Sequence, residues 1–277
     1  MSAPVGRRRW RLPLRFAVLL YLALLILLPV GMVFFRAFQH GLGAAWDAIS
    51  APDSLHALWL TLLVALIAVP LNTIFGVGVS LILARHRFPG AWLLDALVDI
   101  PLAISPVVIG LALILVYGKT GWFGNWLAQH GITVIFSVPG IVMAAAAVSL
   151  PYVVREVLPV LQEIGTEQEQ AARTLGAGSI TVFRRITLPN IRRGLAYGVT
   201  LTTARVMGEF GAVAIVSGAI AGKTETMPLF ISDSIDNLDP QSAYIGAVAL
   251  CLAALIVLTV LTVSDRKRDE WHGKAQA

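Results

Sequence analysis

An all-α membrane protein with six transmembrane helices is the fold class that the sequence predicts, on three observations. Only 13% of the 277 residues are charged, against a soluble average of about 25%, and the mean hydropathy is +0.79. Uncharged stretches of about 20 residues, enough to cross a ~30 Å hydrocarbon core as helix, recur along the chain. Segments such as VALIAVPLNTIFGVGVSLILA lack the period-two alternation that strands of a membrane barrel show.

The first span is placed at 16–35, behind a basic flank of Arg7, Arg8, Arg9, Arg11 and Arg15. A secretory signal has such a flank, but its apolar region is about 7–15 residues and ends in a small-residue cleavage site. This run is longer and no such site follows it, so it is read as uncleaved. The next three spans are placed at 57–84, 100–118 and 131–154. Pro70, Pro101, Pro106, Pro139 and Pro151 fall in or beside them and predict kinks or ends where neighbouring helices re-satisfy the backbone. A long polar loop, 155–193, comes next. The fifth span, 194–218, is apolar except for Arg205 and Glu209, and opens on Gly194 and Gly198, a spacing that suits close helix approach and is equally met by ordinary membrane glycine. The sixth is placed at 241–264, so that residues 1–277 form one transmembrane domain.

Basic residues set the orientation, because cytoplasmic loops carry the Lys and Arg excess. With the N-terminus inside, 17 of the 21 fall on inner segments and only Arg36, Lys119 and Lys223 outside, with Arg205 within a span. Both termini and the 155–193 loop are therefore expected in the cytoplasm. The same asymmetry accounts for the net charge of +5 without any nucleic-acid partner.

Several chemistries are set aside on composition. The single Cys251 excludes a disulfide framework and a Cys metal site, and the five His residues are scattered without ligand spacing. SGAIAGKT, 217–224, imitates a phosphate loop, but Ser217 occupies the first glycine position and the segment is expected outside, away from ATP. No nucleophile elbow or zinc-protease pair is present, so no catalytic residue is assigned and the chain is not expected to be an enzyme. The last outer loop is acidic, with Glu225, Asp233, Asp236 and Asp239.

The polar loop has a definite pattern. Thr166 and Glu169 have the spacing of a capping box that starts a short helix. Leu175-Gly176-Ala177-Gly178 supplies a turn, Ser179 is placed to cap a second helix, and Leu188-Pro189 to end it. Val182, Phe183 and Ile186 form an apolar stripe that needs a partner. A lipid-headgroup surface satisfies that need as well as a protein does.

The spacing A-A-x-x-x-G, nine residues, then I-x-L-P is met by Ala171, Ala172, Gly176, Ile186, Leu188 and Pro189. It resembles the EAA loop of ATP-binding-cassette importer permeases, which docks on the cytoplasmic ATPase. Gln170 stands where that family usually has Glu, with Glu169 beside it. RVMGEFGAVAIVSGAIAGKTETMPLFI, 205–231, is similar to the sulfate/thiosulfate permeases of the W type, and molybdate permeases are similar here too. The S-G-x-I-x-G-x-T-x-T-x-P-L pattern from Ser217 to Leu229 favours sulfate over molybdate or tungstate.

The resemblance implies a type I importer permease fold in the bacterial inner membrane. It also implies a heterodimer with a related T-type permease, two ATPase subunits that bind ATP and Mg, and a periplasmic sulfate-binding protein. No cofactor is expected in this chain. Arg205 and Glu209 are the expected residues of the translocation path, because ionisable groups inside a span are costly unless paired or wetted. A structural ion pair is the alternative for them. A secondary anion transporter is the other transport class; such proteins often carry internal repeats and several intramembrane charges, and this chain has one charged span and no repeat. A non-transport assembly scaffold fits the composition and leaves the loop pattern unexplained.

Overall fold

The structure, a computed structural model, describes residues 11–274, and Arg7, Arg8 and Arg9 lie outside the described residues. Every regular element described is helical. In chain order the first are α1 (Arg11–Leu22) and α2 (Leu28–Phe38), joined by a π turn at Ala23–Leu27, then α3 (Gly41–Ser50) and α4 (Pro52–Arg85). They are followed by α5 (Ala91–Ala103), α6 (Pro106–Tyr117), α7 (Gly124–Gln129), α8 (Val138–Ile164) and α9 (Glu167–Thr174). After α10 (Ser179–Val182) and a second π turn, Phe183–Thr187, come α11 (Leu188–Met207), α12 (Gly211–Ser217), α13 (Met227–Asp236) and α14 (Pro240–Lys274).

Among the described residues four helices, Arg15–Phe38, Pro52–Arg85, Val138–Ile164 and Pro240–Val263, are each long and apolar enough to cross a membrane, and two bent pairs raise the count to six if each is one span. The third expected span, 100–118, is not a straight helix. It belongs to α5 and α6, which meet at 113°. Ser105, forced to ψ 136° ahead of Pro106, breaks the backbone there. In the fifth expected span α11 and α12 meet at 53° around Gly208–Glu209–Phe210.

The centre of the fold is α8, packed against α4 on one side and α11 on the other. Without a hydrophobic drive between helices in lipid, close approach depends on small residues. A Cβ at Gly76 of α4 would stand 2.7 Å from Val153 Cβ, and one at Gly194 of α11 2.7 Å from the Glu156 carbonyl oxygen. One at Gly198 would stand 3.0 Å from Val153 Cα. Of the two readings open for Gly194 and Gly198, close approach holds, at the α8–α11 interface. Leu60, Ile141, Ala144, Met207, Val213 and Val216 fill the main apolar core. Asn72, buried in α4, donates to Ala146 O at 2.9 Å and Ser149 Oγ at 2.8 Å on α8, which spares an amide from standing unpaired where no water competes.

Polar pairs tie the remaining pieces. Arg155, expected at the start of the loop, lies within α8, where its Nη1 stands 2.9 Å from Asp95 Oδ1 and its Nε donates to Asp99 Oδ1 at 2.7 Å, both on α5. The apolar window of Arg15–Phe38 is unburied within this chain, and α2 touches the rest along α14 and α3.

The two π turns solve one problem twice. Each directly precedes Leu-Pro: Leu28-Pro29 and Leu188-Pro189. The Leu28 N–H bonds to Ala23 O and the Leu188 N–H to Phe183 O, five residues back. The wider turn lets the helix run past a residue that has no N–H to give and whose ring clashes with the carbonyl four residues before it. Pro189 consequently begins α11 rather than ending the second loop helix, and Ser179–Met207 is helical throughout. That corrects the sequence expectation of a stop at Leu188-Pro189.

Candidate functional site

At ~1.5 Å per residue, the 34 residues of α4 and the 27 of α8 reach about 50 and 40 Å, beyond a ~30 Å hydrocarbon core. The end of α4 carries Arg85, which meets the polar loop. The irregular part of that loop is shorter than the expected 155–193, because α8 continues to Ile164 and α11 starts at Leu188. Gly165 turns the chain at φ +69°, α9 follows, and Gly176 turns it again at φ +86°. Both values lie in the left-handed region that an L side chain resists. The expected turn at Gly176 is present, with no atom within 4 Å of an added Cβ.

The expected capping devices are absent. Thr166 precedes α9 but makes no side-chain cap, and its hydroxyl oxygen accepts from Gln170 Nε2 at 3.0 Å. Gly178, rather than Ser179, precedes α10. Glu169 does not reach back to Thr166 because a stronger partner holds it: Arg85 Nη2 donates to Glu169 Oε1 at 3.1 Å, and Thr187 Oγ1 donates to the same oxygen at 2.9 Å. Arg85 Nη1 also donates to Leu161 O at 2.9 Å. The Glu169 and Arg85 side chains are each 12% exposed. Glu169 thus points into the protein and cannot stand in for the usual Glu at Gln170, which is exposed.

The apolar stripe also differs from expectation. Val182 is buried, and Phe183 and Leu188 pack against Val157, Leu161 and Ile191. Ile186 is partly covered as well. The stripe's partner is therefore the chain itself. What stays bare is a pair that pattern reading passed over: Leu175 is 88% exposed and Ile180 76%. They flank Gly176, beside exposed Ala171 and half-buried Ala172. The available signal was their position either side of the turn, where no helical periodicity assigns them a covered face.

Arg205 and Glu209 form the expected pair, with Nη1 to Oε2 at 2.7 Å. Glu209 lies in the break between α11 and α12, and its Oε1 accepts the Ala212 N–H at 2.9 Å, which caps the second half-helix. Its side chain is 2% exposed and that of Arg205 29%. An anion has no access to the Glu209 carboxylate, whereas the outer edge of the Arg205 guanidinium remains open. A cleft of about 730 Å³ between α4, α11 and α14 is lined by Trp59, Leu66, Thr73, Met207 and Val257 among others, and neither Arg205 nor Glu209 borders it. Its apolar wall offers an anion no charge.

At the opposite end of α4 from Arg85, Glu225 is buried between α12 and α13. Burial, then the nearby carboxylates of Asp233 and Asp53, push its carboxyl up to about 7. The 217–224 stretch that imitates a phosphate loop runs from the end of α12 into turns at 221–224, with Lys223, Thr224 and Glu225 N–H groups all bonding to Ile220 O. Those donors are satisfied internally and point at no phosphate.

The profile of a family described as binding-protein-dependent transport system inner membrane component matches residues 76–269. The sulfate transport system permease protein CysW of Synechocystis sp. is 50% identical over 257 residues, covering 93% of this chain and 92% of that protein. The sulfate transport system permease protein CysT of Salmonella typhimurium is 40% identical over 249 residues, covering 90% of each. Among solved structures, a bacterial ABC transporter involved in the import of the acidic polysaccharide alginate superposes with a TM-score of 0.79 over 94% of this chain and 96% of that one, at 15% identity, a likeness of fold alone.

Proposed function

Because the chain belongs to the binding-protein-dependent transport system inner membrane components, we propose that it is the W-type permease subunit of an ATP-driven sulfate/thiosulfate importer. The observation that carries this reading is 50% identity to a CysW protein along nearly the whole of both chains, against 40% to a CysT protein. Permeases of this family are not enzymes; ATP and Mg belong to a partner ATPase. The same membership displaces the secondary-transporter and scaffold readings.

The partners follow from that role. A T-type permease completes the path, two ATPase subunits drive it, and a periplasmic sulfate-binding protein delivers the anion. The 165–187 loop is the coupling element, and its bare Leu175 and Ile180, with Ala171 and Ala172 close by, supply the apolar surface for the ATPase. Each bent helix pair serves as one span, giving six, with both termini and the loop in the cytoplasm of a bacterial inner membrane. Arg205 faces the translocation path and Glu209 holds it in place.

Gentle purification of the tagged protein tests the class: an ATPase and a second permease should come with it, and a lone homo-oligomer would overturn the reading. Reporter fusions after Arg193 and near Asp236 should give cytoplasm and periplasm respectively. Uptake of labelled sulfate and molybdate by a strain lacking its own permease separates the two anions.

A further inference from the structure

Four helical segments meet around the Glu169 carboxylate: two donors reach one of its oxygens, and one of those donors also binds the end of α8. Glu169 Oε1, on α9, receives the Arg85 guanidinium from the end of α4 and the Thr187 hydroxyl from the turn that leads into α11. The same guanidinium grips Leu161 O near the end of α8. The crevice that Arg85, Leu161, Glu169 and Thr187 line has no room for a water molecule. Thr187 is itself only 5% exposed. Charge-assisted hydrogen bonds are roughly twice as strong as neutral ones, and removing one member leaves its largely buried partners uncompensated.

Around this point the rest of α9 is loosely held. Gly165 and Gly176, both at positive φ, bound it, and its side chains bury nothing fully. A further tie is Asn190 Nδ2 donating to Gln168 Oε1 at 2.9 Å, an exposed contact. An isolated eight-residue helix between two glycine turns would pivot freely under load. The buried carboxylate removes that freedom.

We propose that Arg85, Glu169 and Thr187 form a latch that makes α9 move as one body with the ends of α4, α8 and α11, and that they are positioning residues for coupling ATP hydrolysis to transport. The proposal rests on the reading of 165–187 as the coupling loop. A push on the exposed Leu175 and Ile180 face is carried through Glu169 to Arg85, and so into α4, the longest span of the core. Without the latch the same push tilts α9 about its glycines and is lost.

The test uses the full importer, assembled with its second permease and ATPase in proteoliposomes, with sulfate-loaded binding protein added. ATPase retention, hydrolysis and sulfate moved per ATP are measured together. Glu169→Gln keeps the shape and an acceptor oxygen but removes the charge; Thr187→Val removes the hydroxyl at constant volume, and Thr187→Ser restores it. The expected result is normal ATPase retention with sulfate per ATP reduced about tenfold in Glu169→Gln and Thr187→Val, within the usual range of coupling between sites, and near wild type in Thr187→Ser. A merely structural role would lower the amount of importer and leave that ratio unchanged. Wild-type sulfate per ATP in both Glu169→Gln and Thr187→Val overturns the latch. Loss of ATPase retention in Glu169→Gln overturns it as well, because Glu169 would then be a docking contact. Leu175→Asp tests the underlying reading separately: if it leaves ATPase retention intact, the loop is not the coupling element. Should either latch variant fail to accumulate, the other decides.

Discussion

Arg205 and Glu209 pair at 2.7 Å at the break between α11 and α12, and the carboxylate that neutralises the guanidinium also caps the second half-helix through the Ala212 N–H. One residue thus serves both the charge balance and the bend. The i,i+4 spacing brings them to one helix face, and the break turns Glu209 inward while leaving an edge of Arg205 open.

The first prediction separates the two residues. Arg205→Met alone leaves the Glu209 charge buried and should cost roughly 3 kcal/mol, seen as a lower unfolding temperature in detergent. Adding Glu209→Gln removes that charge yet keeps an oxygen for the Ala212 N–H, so stability should recover. Sulfate uptake is expected to stay low in the double variant, because the anion loses its cation. Recovery of uptake together with stability would remove Arg205 from the path.

Gly176 sits at φ +86° with open space around it, so a side chain there is opposed by backbone conformation and not by crowding. Gly176→Val should cost about 1–2 kcal/mol in the turn and uncouple hydrolysis from transport while insertion stays normal. Gly176→Asn, which tolerates the left-handed region, should keep most of the transport. Equal transport by the two variants would show that the turn's conformation is unimportant.

Leu175 and Ile180 are bare in this chain although both are large and apolar. Burying one such side chain is worth about 1.5–3 kcal/mol, so Leu175→Asp or Ile180→Asp should weaken ATPase association by a factor of ten or more. Titration of purified ATPase onto permease in nanodiscs measures this. Unchanged affinity in both variants would place the docking face elsewhere.

The α4–α8 contact is predicted to be steric. A Cβ at Gly76 meets Val153 Cβ at 2.7 Å, so Gly76→Ala should destabilise by about 1–3 kcal/mol, and Val153→Ala in the same chain should return part of it. Strict additivity of the two losses in thermal unfolding would mean the helices do not meet there.

Glu225 gives a pH dependence of definite sign. Its carboxyl is raised to about 7, so the fold favours the protonated form. That contribution is complete below the ordinary carboxylate range and fades as pH rises through about 7. Glu225→Gln, a permanent mimic of the protonated acid, should therefore raise the unfolding temperature by a few degrees at pH 8 and change it little at pH 5. A gain confined to the acid side would reverse the assignment.

Features with a local cause could be read directly from the residues. The apolar runs follow from the cost of backbone in lipid, and the pairing of Arg205 with Glu209 from helical spacing. The four-residue interval of Gly194 and Gly198 allowed close approach without deciding it, and Gly176 needed only its place after a short helix. The loop's capping pattern failed for a reason that is not local. Thr166 and Glu169 have the right spacing, but Arg85, 84 positions from Glu169, offers a buried charge that an exposed backbone N–H cannot match.

By itself, then, the sequence determined an all-helical membrane chain, the position of its polar loop, the glycine turn within that loop and the charged pair in its fifth span. Tertiary structure alone decided that α5 meets α6 at 113°, that helix continues past Pro189 through a π turn, and that Glu169 faces inward while Leu175 and Ile180 face out. The division has a physical cause. Periodicity, spacing and hydropathy report what each residue prefers within a turn or two of helix. Which of several acceptable partners it takes is set by free-energy differences of a few kcal/mol between groups that only the packing of α4, α8 and α11 brings together.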